Sequence, residues 1–362
     1  MQYKIDRTAG EPIYLQLYRL LCRDIVSGTY PFGSKLPSKR LLATELGISI
    51  VTVEHALTIL CDEGYAGTRE RSGYYVTYRA GDGFAAPTPP HTRTQHTPHT
   101  EATDDILPYT VLARTMRRVL ADYGEDILLR SPHTGTTELR QALAAYLARS
   151  RGLAVDATQI IIGAGAEYLY GLSIQLLGRE HTFAVEDPCY EKIRAVYCAN
   201  GARFEPLAMD NGGIKTAALE KSTATVLHVT PYHSYPSGVT ATASKRQEYI
   251  AFADARNGYL IEDDFDSEFT VSSKMEDTLF SLDRAGRVIY MNTFTKTVAP
   301  SLRVGYMVLP TTLLQRFEEN CGFYACTVPT FEQLVLAELL NSGDFERHIN
   351  RQRRKKRRAL QK

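Results

Sequence analysis

The chain has 362 residues, of which 44% are hydrophobic, with 42 lysines and arginines against 41 aspartates and glutamates. This length predicts more than one domain, and the hydrophobic share is enough for a sizeable buried core. A formal net charge of +1 excludes a protein that binds polyanions through gross charge alone, although it allows a local basic surface.

The sequence carries no signal for secretion, membrane insertion or disulfide formation. Its N-terminus, "MQYKIDRTAG", lacks an apolar h-region, and no apolar run approaches the roughly 20 residues that span a bilayer. The six cysteines show neither a CxxC pair nor the spacing of a metal site, so reduced thiols are expected. We therefore predict a cytoplasmic protein without membrane contact and without a bound metal.

Three helical patterns and a hairpin open the chain. In "PIYLQLYRLLCRDIVSG" the apolar residues share one helical face and Gly28 ends the helix. Ser38 is the predicted N-cap of a helix in "LPSKRLLATELG" that ends at Gly47, and Ser49 that of "IVTVEHALTILCDEG". The hairpin "YAGTRERSGYYVTY" then places Arg69 and Arg71 at its tip. Two short helices joined at a glycine turn and followed by a hairpin predict a mainly α-helical, winged helix-turn-helix domain that binds double-stranded DNA.

A linker is predicted after this domain. Residues 84–103, "FAAPTPPHTRTQHTPHTEAT", are rich in Pro, Thr and His and poor in large apolar residues, a composition that cannot pack a core. We place the DNA-binding domain at 1–79, the linker at 80–105 and a larger domain at 106–362. The histidines of the linker could ligate a metal, but nothing rigid would hold them, so no metal site is predicted.

The segments "LPSKRLLATELGIS", "TVEHALTILCDEGY" and "RSGYYV" resemble the GntR-type winged helix. This resemblance implies that certain residues contact DNA phosphate or base edges, face the groove or form the wing. They are Ser38, Lys39, Arg40, Ser49, Thr52, His55 and Gly73. The family usually has an arginine after the capping serine, whereas this chain has Ile50, which cannot make a bidentate contact to guanine. A protein-interaction domain is the alternative.

Beyond residue 105, short apolar runs alternate with stretches long enough for helices. Strands are predicted at residues 159–163, 182–186, 225–229, 258–263, 287–292 and 303–309. Helical crossovers between the first five predict an α/β domain with a mainly parallel sheet. Ligands of such sheets bind at the C-terminal ends of the strands, where "GAGAEY", "EDPCY", "TPYHSYPSG", "EDDFDSEF" and "TFTKT" follow the first five strands.

These strand-end segments contain the groups that pyridoxal phosphate needs. Lys296 can form a Schiff base with its aldehyde, and Asp263 can face its ring nitrogen. The other candidate cofactor ligands are Gly165 and Ala166 at a helix start, Thr293, Thr295 and Arg303 for the phosphate, and Tyr190 stacked on the pyridine. Each residue alone has an ordinary explanation, such as a solvated lysine or a capping aspartate. Their coincidence at successive strand ends favours a cofactor site.

The segments "GAGAEYLYGLSIQLLG", "YPSGVT" and "NTFTKTVAPSLRVGYMVLP" look like the aminotransferase-like domain of MocR/GabR-type regulators over residues 106–358. The resemblance implies a fold-type I domain with pyridoxal phosphate on Lys296, and a head-to-tail homodimer. Phe265 replaces a family tyrosine that meets the phenolic oxygen of the cofactor, which should alter the visible spectrum rather than abolish binding. Ala164 and Ala166 replace Ser or Thr near the phosphate, which leaves backbone donors.

Family members continue beyond "RQRRKKRRALQK", so a truncated domain that lacks the C-terminal small domain is expected. That small domain supplies an arginine expected to bind a ligand carboxylate. The basic run of residues 351–358 is interpreted as one face of a helix, with a second nucleic-acid contact as the alternative.

The leading functional hypothesis is a transcription regulator that senses an amino compound, or the cofactor itself, through an aldimine at Lys296. Candidate ligand-binding residues are Lys192, Arg194, His233 and Tyr235. An active aminotransferase is the second hypothesis, against which Phe265 and the expected truncation argue. The third is a DNA-binding protein whose large domain no longer holds a cofactor.

Overall fold

The computed structural model describes residues 3–7, 10–69, 72–79, 106–265, 267–270 and 277–360. The chain divides into two compact units, Met1–His99 and Thr100–Lys362. Arg71 and the predicted linker, residues 80–105, lie outside the described residues, and the proposed domain boundaries at 79 and 105 stay a prediction.

The first unit has three helices and a two-stranded antiparallel sheet, as predicted. They are α1 (Ile13–Val26), α2 (Lys39–Leu46), α3 (Ile50–Asp62), β1 (Ala66–Arg69) and β2 (Gly73–Val76). The hydroxyl oxygen of Ser38 accepts the N–H of Leu41 at 3.2 Å, and that of Ser49 accepts the N–H of Thr52 at 3.0 Å. Each serine thus satisfies a backbone donor that the first turn of its helix leaves unpaired.

The second unit combines ten helices of the described residues with an eight-stranded sheet. The helices are α4 (Tyr109–Tyr123), α5 (Thr137–Arg151), α6 (Ala166–Leu177), α7 (Glu191–Ala199), α8 (Thr216–Lys221), α9 (Ala243–Ala255), α10 (Leu279–Leu282), α11 (Leu314–Cys321), α12 (Thr330–Asn341) and α13 (Asp344–Leu360). The strands are β3 (Ile160–Gly163), β4 (Thr182–Asp187), β5 (Arg203–Asp210), β6 (Gly213–Ile214), β7 (Val226–Val229), β8 (Tyr259–Asp263), β9 (Val288–Thr293) and β10 (Gly305–Val308).

The sheet is mixed but mainly parallel, with the order β3-β10-β9-β8-β7-β4-β5-β6. Strands β5, β4, β7, β8 and β9 run parallel to one another, whereas β10 is antiparallel to both of its neighbours and β6 is antiparallel to β5. The prediction of a mainly parallel sheet is confirmed. Strands β5 and β6 were not predicted, because Leu207 is the one buried residue of β5 and no apolar run marks it.

Alternating residues of the central strands face two different helix layers. Val226 on β7 and Ile261 on β8 pack with α6, α7 and α11 on one face. Leu227 and Leu260 pack with α9 on the other face. Because side chains alternate along a strand, His228 and Asp263 lie on the same face as Val226 and Ile261.

The basic run of residues 351–358 lies in helix α13, as predicted, and the N-terminal half of that helix buries Phe345 and Ile349. Among the helices that the structure describes, none has the length and apolar character needed to cross a membrane. No cluster of potential metal ligands occurs in the described part of the chain.

Candidate functional site

A cavity of about 430 Å³ lies at the C-terminal ends of the parallel strands. It is lined by Ala166, Glu167, Tyr170, Tyr190, Thr230, Tyr235, Asp263, Phe265, Thr293, Thr295, Lys296 and Arg303. All of these except Glu167, Tyr170 and Thr230 were predicted from the sequence. The strand-end segments therefore meet at one place, as the parallel arrangement requires.

Lys296 lies in the connection between β9 and β10. Its Nζ is 4.8 Å from the centroid of the Phe265 ring, which is close enough for a cation–π contact. The neighbouring Thr295 also lines the cavity, and Thr293, the last residue of β9, is buried beside it. The predicted Schiff-base lysine is thus held at the cavity by a buried strand on its N-terminal side.

Asp263 is the last residue of β8, and only 3% of its surface is exposed. The hydroxyl of Tyr170, on α6, donates a hydrogen bond to its Oδ2. His228 Nε2 lies 3.8 Å from the same oxygen. Burial and the nearby Asp263 charge raise the pKa of Tyr170 well above its ordinary value, so this hydroxyl stays protonated and remains a donor.

Arg303 pairs with Glu167 in the first turn of α6, and Lys192 Nζ lies 2.7 Å from the other oxygen of that carboxylate. Burial alone would raise the pKa of Glu167, but hydrogen bonds from the two cations outweigh it and the pKa is lowered. Glu167 is therefore an anion held between two cations at the helix N-terminus, where the helix dipole also favours negative charge.

The glycine before α6 lies beside Arg303 in a backbone conformation that favours glycine. Gly165 has a φ of +87°, and a Cβ at this position would lie 3.4 Å from Arg303 Nη2. The N–H of Gly165 donates to the carbonyl oxygen of Gly163 at 2.8 Å, and that of Ala164 donates to Thr327 Oγ1 at 3.1 Å. Gly165 thus contributes space beside the guanidinium, and its own N–H is used within the loop.

The predicted ligand-binding residues separate into two groups. Tyr235 lines the cavity, where its ring meets that of Tyr190 edge-to-face at 6.1 Å, and Lys192 Nζ is 5.9 Å from the Tyr190 centroid. Arg194 instead stacks on Phe204 at 5.0 Å, and Lys192, Arg194 and His233 are not among the residues that line the cavity.

A protonated carboxyl supports the loop that carries Tyr235. Glu186 on β4 is buried, and its Oε2 accepts a hydrogen bond from Ser234 Oγ at 2.5 Å. Burial raises the pKa of Glu186 to about 8, which keeps it mostly neutral at pH 7. The hydrogen bond joins the end of β4 to the residue that precedes Tyr235.

In the first unit, a groove of about 480 Å³ brings together part of the predicted DNA surface. Its lining includes Ser38, Lys39, Arg40, Ile50 and Gly73. Arg40 is exposed, and Ile50 is 49% exposed although it is apolar. The start of α2, the start of α3 and the wing therefore form one surface with a basic side chain at its edge.

Several of the predicted DNA-binding residues make contacts within the first unit. Lys39 Nζ pairs with Glu54, and the hydroxyls of Ser49 and Thr52 are 2.7 Å apart.

The ring of His55 stacks on Tyr14 at 4.0 Å, and the guanidinium of Arg69 lies 4.3 Å from the Tyr75 ring centroid. Arg71 lies outside the described residues.

The sequence did not predict Glu167, which pairs with Arg303, or Tyr170 and His228, which face Asp263. Tyr170 follows Ala166 by four residues and Glu167 by three, so helical spacing from the start of α6 could have indicated that it lies near them. His228, on β7, lies two residues before the cavity residue Thr230, which follows the strand. The alternation of a strand places it on the cavity side, but its contact with Asp263 depends on the register of two strands.

A winged helix followed by an α/β domain with a strand-end lysine defines a class of DNA-binding regulators, and the comparisons with known proteins agree. The model of "Bacterial regulatory proteins, gntR family" matches residues 13–76. The model of "Aminotransferase class I and II" matches residues 101–361. The two models together cover most of both units.

Two curated relatives have the same arrangement over almost the whole chain. The HTH-type transcriptional regulator YdeL of Bacillus subtilis (strain 168) is 35% identical over 373 residues, covering 98% of this chain and 80% of YdeL. The probable rhizopine catabolism regulatory protein MocR of Rhizobium meliloti is 29% identical over 379 residues, covering 97% and 76%. The chain therefore belongs to the MocR-type transcriptional regulators, with a GntR-type winged helix and an aminotransferase-like domain.

The fold of the second unit matches solved aminotransferases. The kynurenine aminotransferase of Pyrococcus horikoshii, solved in complex with PMP, superposes with a TM-score of 0.63 at 25% identity, over 70% of this chain and 68% of that chain. The fold-type I assignment is confirmed by this likeness.

Proposed function

We propose that this regulator binds pyridoxal phosphate in the cavity of its second unit and changes its affinity for DNA when an amino compound enters that cavity. The observation that carries the proposal is the convergence of Lys296, Asp263 and Arg303 on one cavity, in a chain that begins with a GntR-type winged helix. An amine suits the aldehyde of this cofactor, an acid suits its ring nitrogen and a guanidinium suits its phosphate.

The residues of the cavity fit the cofactor. Lys296 would hold its aldehyde carbon, Asp263 its ring nitrogen, and Arg303 with Thr293 and Thr295 its phosphate. Tyr190 would cover a ring face. The space that Gly165 leaves beside Arg303 suits a phosphate close to the backbone. When bound, pyridoxal phosphate supplies an electrophilic aldehyde and a ring that accepts electrons.

The effector is proposed to be a small primary amine or amino acid. It would compete with Lys296 Nζ for the aldehyde carbon. The lysine side chain, once released, would move to another position near Phe265. Tyr190 and Tyr235 form an aromatic wall beside it. An effector of this kind alters DNA binding only if it favours one conformation of the protein over another.

Double-stranded DNA is the proposed partner of the groove formed by α2, α3 and the wing. Arg40 would neutralise a backbone phosphate, while the exposed Ile50 would make apolar contact, for example with a thymine methyl group. A homodimer is proposed as the binding unit, because two winged helices would read two half-sites of an operator.

Aminotransferase activity is the second candidate function, and the complete set of Lys296, Asp263 and Arg303 favours it. Phe265 opposes it, because a phenyl ring cannot donate the hydrogen bond that a tyrosine would provide. Sustained formation of a keto acid over many turnovers would establish this function.

The proposed function is tested by retardation of the DNA upstream of the gene, with pyridoxal phosphate present and candidate amines titrated in. The wild-type protein and the Lys221→Ala control, altered at an exposed residue at the end of α8, should respond to an effective amine. Lys296→Ala should still bind DNA but lose the response. Failure of the wild type to retard this DNA under any of these conditions would contradict the proposal.

A further inference from the structure

A chain of four buried polar side chains lies behind the cavity. It runs from Tyr197 on α7 to His228 on β7, then to Asp263 on β8 and Tyr170 on α6. His228 is 2% exposed, and its neighbours on the same sheet face include Val226 and Ile261. An imidazole among such residues loses its hydration, so an apolar side chain would pack there at lower cost.

Tyr197 determines which nitrogen of His228 carries the proton. The tyrosine oxygen lies 2.6 Å from His228 Nδ1. Burial, followed by the charge of Asp263, raises the pKa of Tyr197 well above its ordinary value, so its hydroxyl remains protonated and can donate to Nδ1, while the Asp263 carboxylate opposite Nε2 favours a hydrogen on that nitrogen. A neutral imidazole that accepts at Nδ1 carries its hydrogen on Nε2.

The Nε2–H of His228 faces the carboxylate of Asp263. The distance from Nε2 to Oδ2 is 3.8 Å, which is longer than a hydrogen bond, and Nε2 has no hydrogen-bond partner among the described residues. A buried donor without a partner calls for an explanation. The carboxylate of Asp263 is the acceptor that faces this donor, and a small movement would bring the two within hydrogen-bond distance.

Both donors approach the same oxygen of Asp263. Tyr170 donates to Oδ2, and His228 Nε2 is nearest to Oδ2. Asp263 itself lines the cavity. Because Tyr170 and His228 both approach Oδ2, Oδ1 is the oxygen left to meet a positively charged ring nitrogen.

We propose that His228, oriented by Tyr197, is a positioning residue that acts with Tyr170 to hold the Asp263 carboxylate with one oxygen towards the cofactor ring. This inference rests on the proposed function, because it supposes that pyridoxal phosphate binds in the cavity. Loading the cofactor draws Asp263 and His228 into a hydrogen bond, so the Nε2–H of His228 becomes a reporter of occupancy.

The test compares His228→Leu, which removes the donor, with His228→Gln, whose side-chain amide can place an N–H near the position of Nε2. His181→Gln is the matched control, because His181 precedes β4 at the N-terminal ends of the parallel strands, away from the cavity, and contacts Thr225 Oγ1 at 2.7 Å. The affinity for pyridoxal phosphate is measured by its visible absorbance.

We expect His228→Leu to bind the cofactor about tenfold more weakly, as for a lost hydrogen bond to a charged group, and His228→Gln to recover most of the affinity. In ¹⁵N-histidine-labelled wild type, NMR should show protonated Nε2 and hydrogen-bonded Nδ1, with an Nε2 shift that moves on loading. Tyr197→Phe should weaken the preference for this tautomer.

If the wild type loads and both His228→Leu and His228→Gln bind the cofactor as tightly as it does, the inference is wrong and the proposed function stands. The same conclusion follows if Nδ1 carries the proton of His228. If the wild type takes up no pyridoxal phosphate, the proposed function fails and the inference fails with it.

Discussion

The ammonium of Lys296 lies 4.8 Å from the centroid of the Phe265 ring. The face of a phenyl ring attracts a cation, but the ring cannot donate a hydrogen bond. Phe265 therefore contacts the proposed reactive amine through its ring face and offers no hydrogen bond to the phenolic oxygen of a bound cofactor. The residue at position 265 should therefore affect the visible absorption of a bound cofactor.

Restoring a hydroxyl at position 265 should change the acid–base behaviour of the loaded protein. In Phe265→Tyr the new hydroxyl would donate to the phenolic oxygen of the cofactor and stabilise the deprotonated form of the chromophore. We expect the pH midpoint of the visible band to fall by about one unit. Absorbance spectra over a pH series measure this midpoint, and an unchanged midpoint in the tyrosine variant would contradict the placement of Phe265 beside the cofactor.

Arg303 and Glu167 should have opposite effects on phosphate binding. Arg303→Ala removes the guanidinium and should weaken binding of pyridoxal phosphate about tenfold. Glu167→Gln removes the carboxylate that pairs with Arg303 and should strengthen binding. Pyridoxal, which lacks the phosphate, is the control ligand, and both substitutions should leave its affinity nearly unchanged. Equal effects on the two ligands would place the phosphate elsewhere.

The buried carboxyl of Glu186 should make stability fall as the pH rises. Its pKa is about 8 in the folded protein against an ordinary value of 4.5, so the folded form binds the proton more tightly. The stabilisation that this carboxyl contributes is complete at pH values below its ordinary pKa and is lost as the pH rises through about 8. The slope is at most about 1.4 kcal/mol per pH unit.

Glu186→Gln removes this titration, so its free energy of unfolding should depend less on pH than that of the wild type. Urea denaturation at a series of pH values measures the difference. Glu125→Gln, at an exposed position, is the control and should keep the wild-type slope. Glu262 and Glu268 also have raised pKa values, so some dependence should persist in every variant. Identical slopes in Glu186→Gln and the wild type would contradict the burial of this carboxyl.

Arg40 should contribute to DNA binding through a phosphate. Arg40→Ala is expected to weaken binding at low salt and to reduce the slope of log K against log[salt] by about one. Arg19→Ala is the control, because Arg19 pairs with Glu11 at 2.6 Å and does not line the groove. Fluorescence anisotropy at several salt concentrations gives both slopes. A loss of affinity without a change in slope would show that Arg40 does not neutralise a phosphate.

The parts of the fold that the sequence predicted are those in which the physical signal is local. Strands such as β7 and β9 are buried on both faces and appear as apolar runs, and α2 and α3 begin at capping serines. Strand β5 contains Pro206 and exposed charged residues, so its membership in the sheet comes from pairing with β4 and not from its composition.

The residues of the candidate site also divide into those that the sequence could predict and those that depend on long-range packing. Lys296 and Asp263 could be predicted because parallel strands bring their C-terminal ends together, and Arg303 because it follows Lys296 closely in the chain. Tyr170 and His228 could not, because their contacts with Asp263 depend on how α6 packs on the sheet and on the register in which His228 lies opposite Ile261. Glu167 likewise shows its role only when both of its cationic partners are seen.

The most direct test of the account is to identify the residue that carries the cofactor. Freshly purified protein is incubated with pyridoxal phosphate, reduced with borohydride, digested and analysed by mass spectrometry. The account predicts a pyridoxyl adduct on Lys296 that is absent from Lys296→Ala and present in the Lys221→Ala control. A wild-type protein that stays colourless, or an adduct spread over surface lysines with none at position 296, would contradict it.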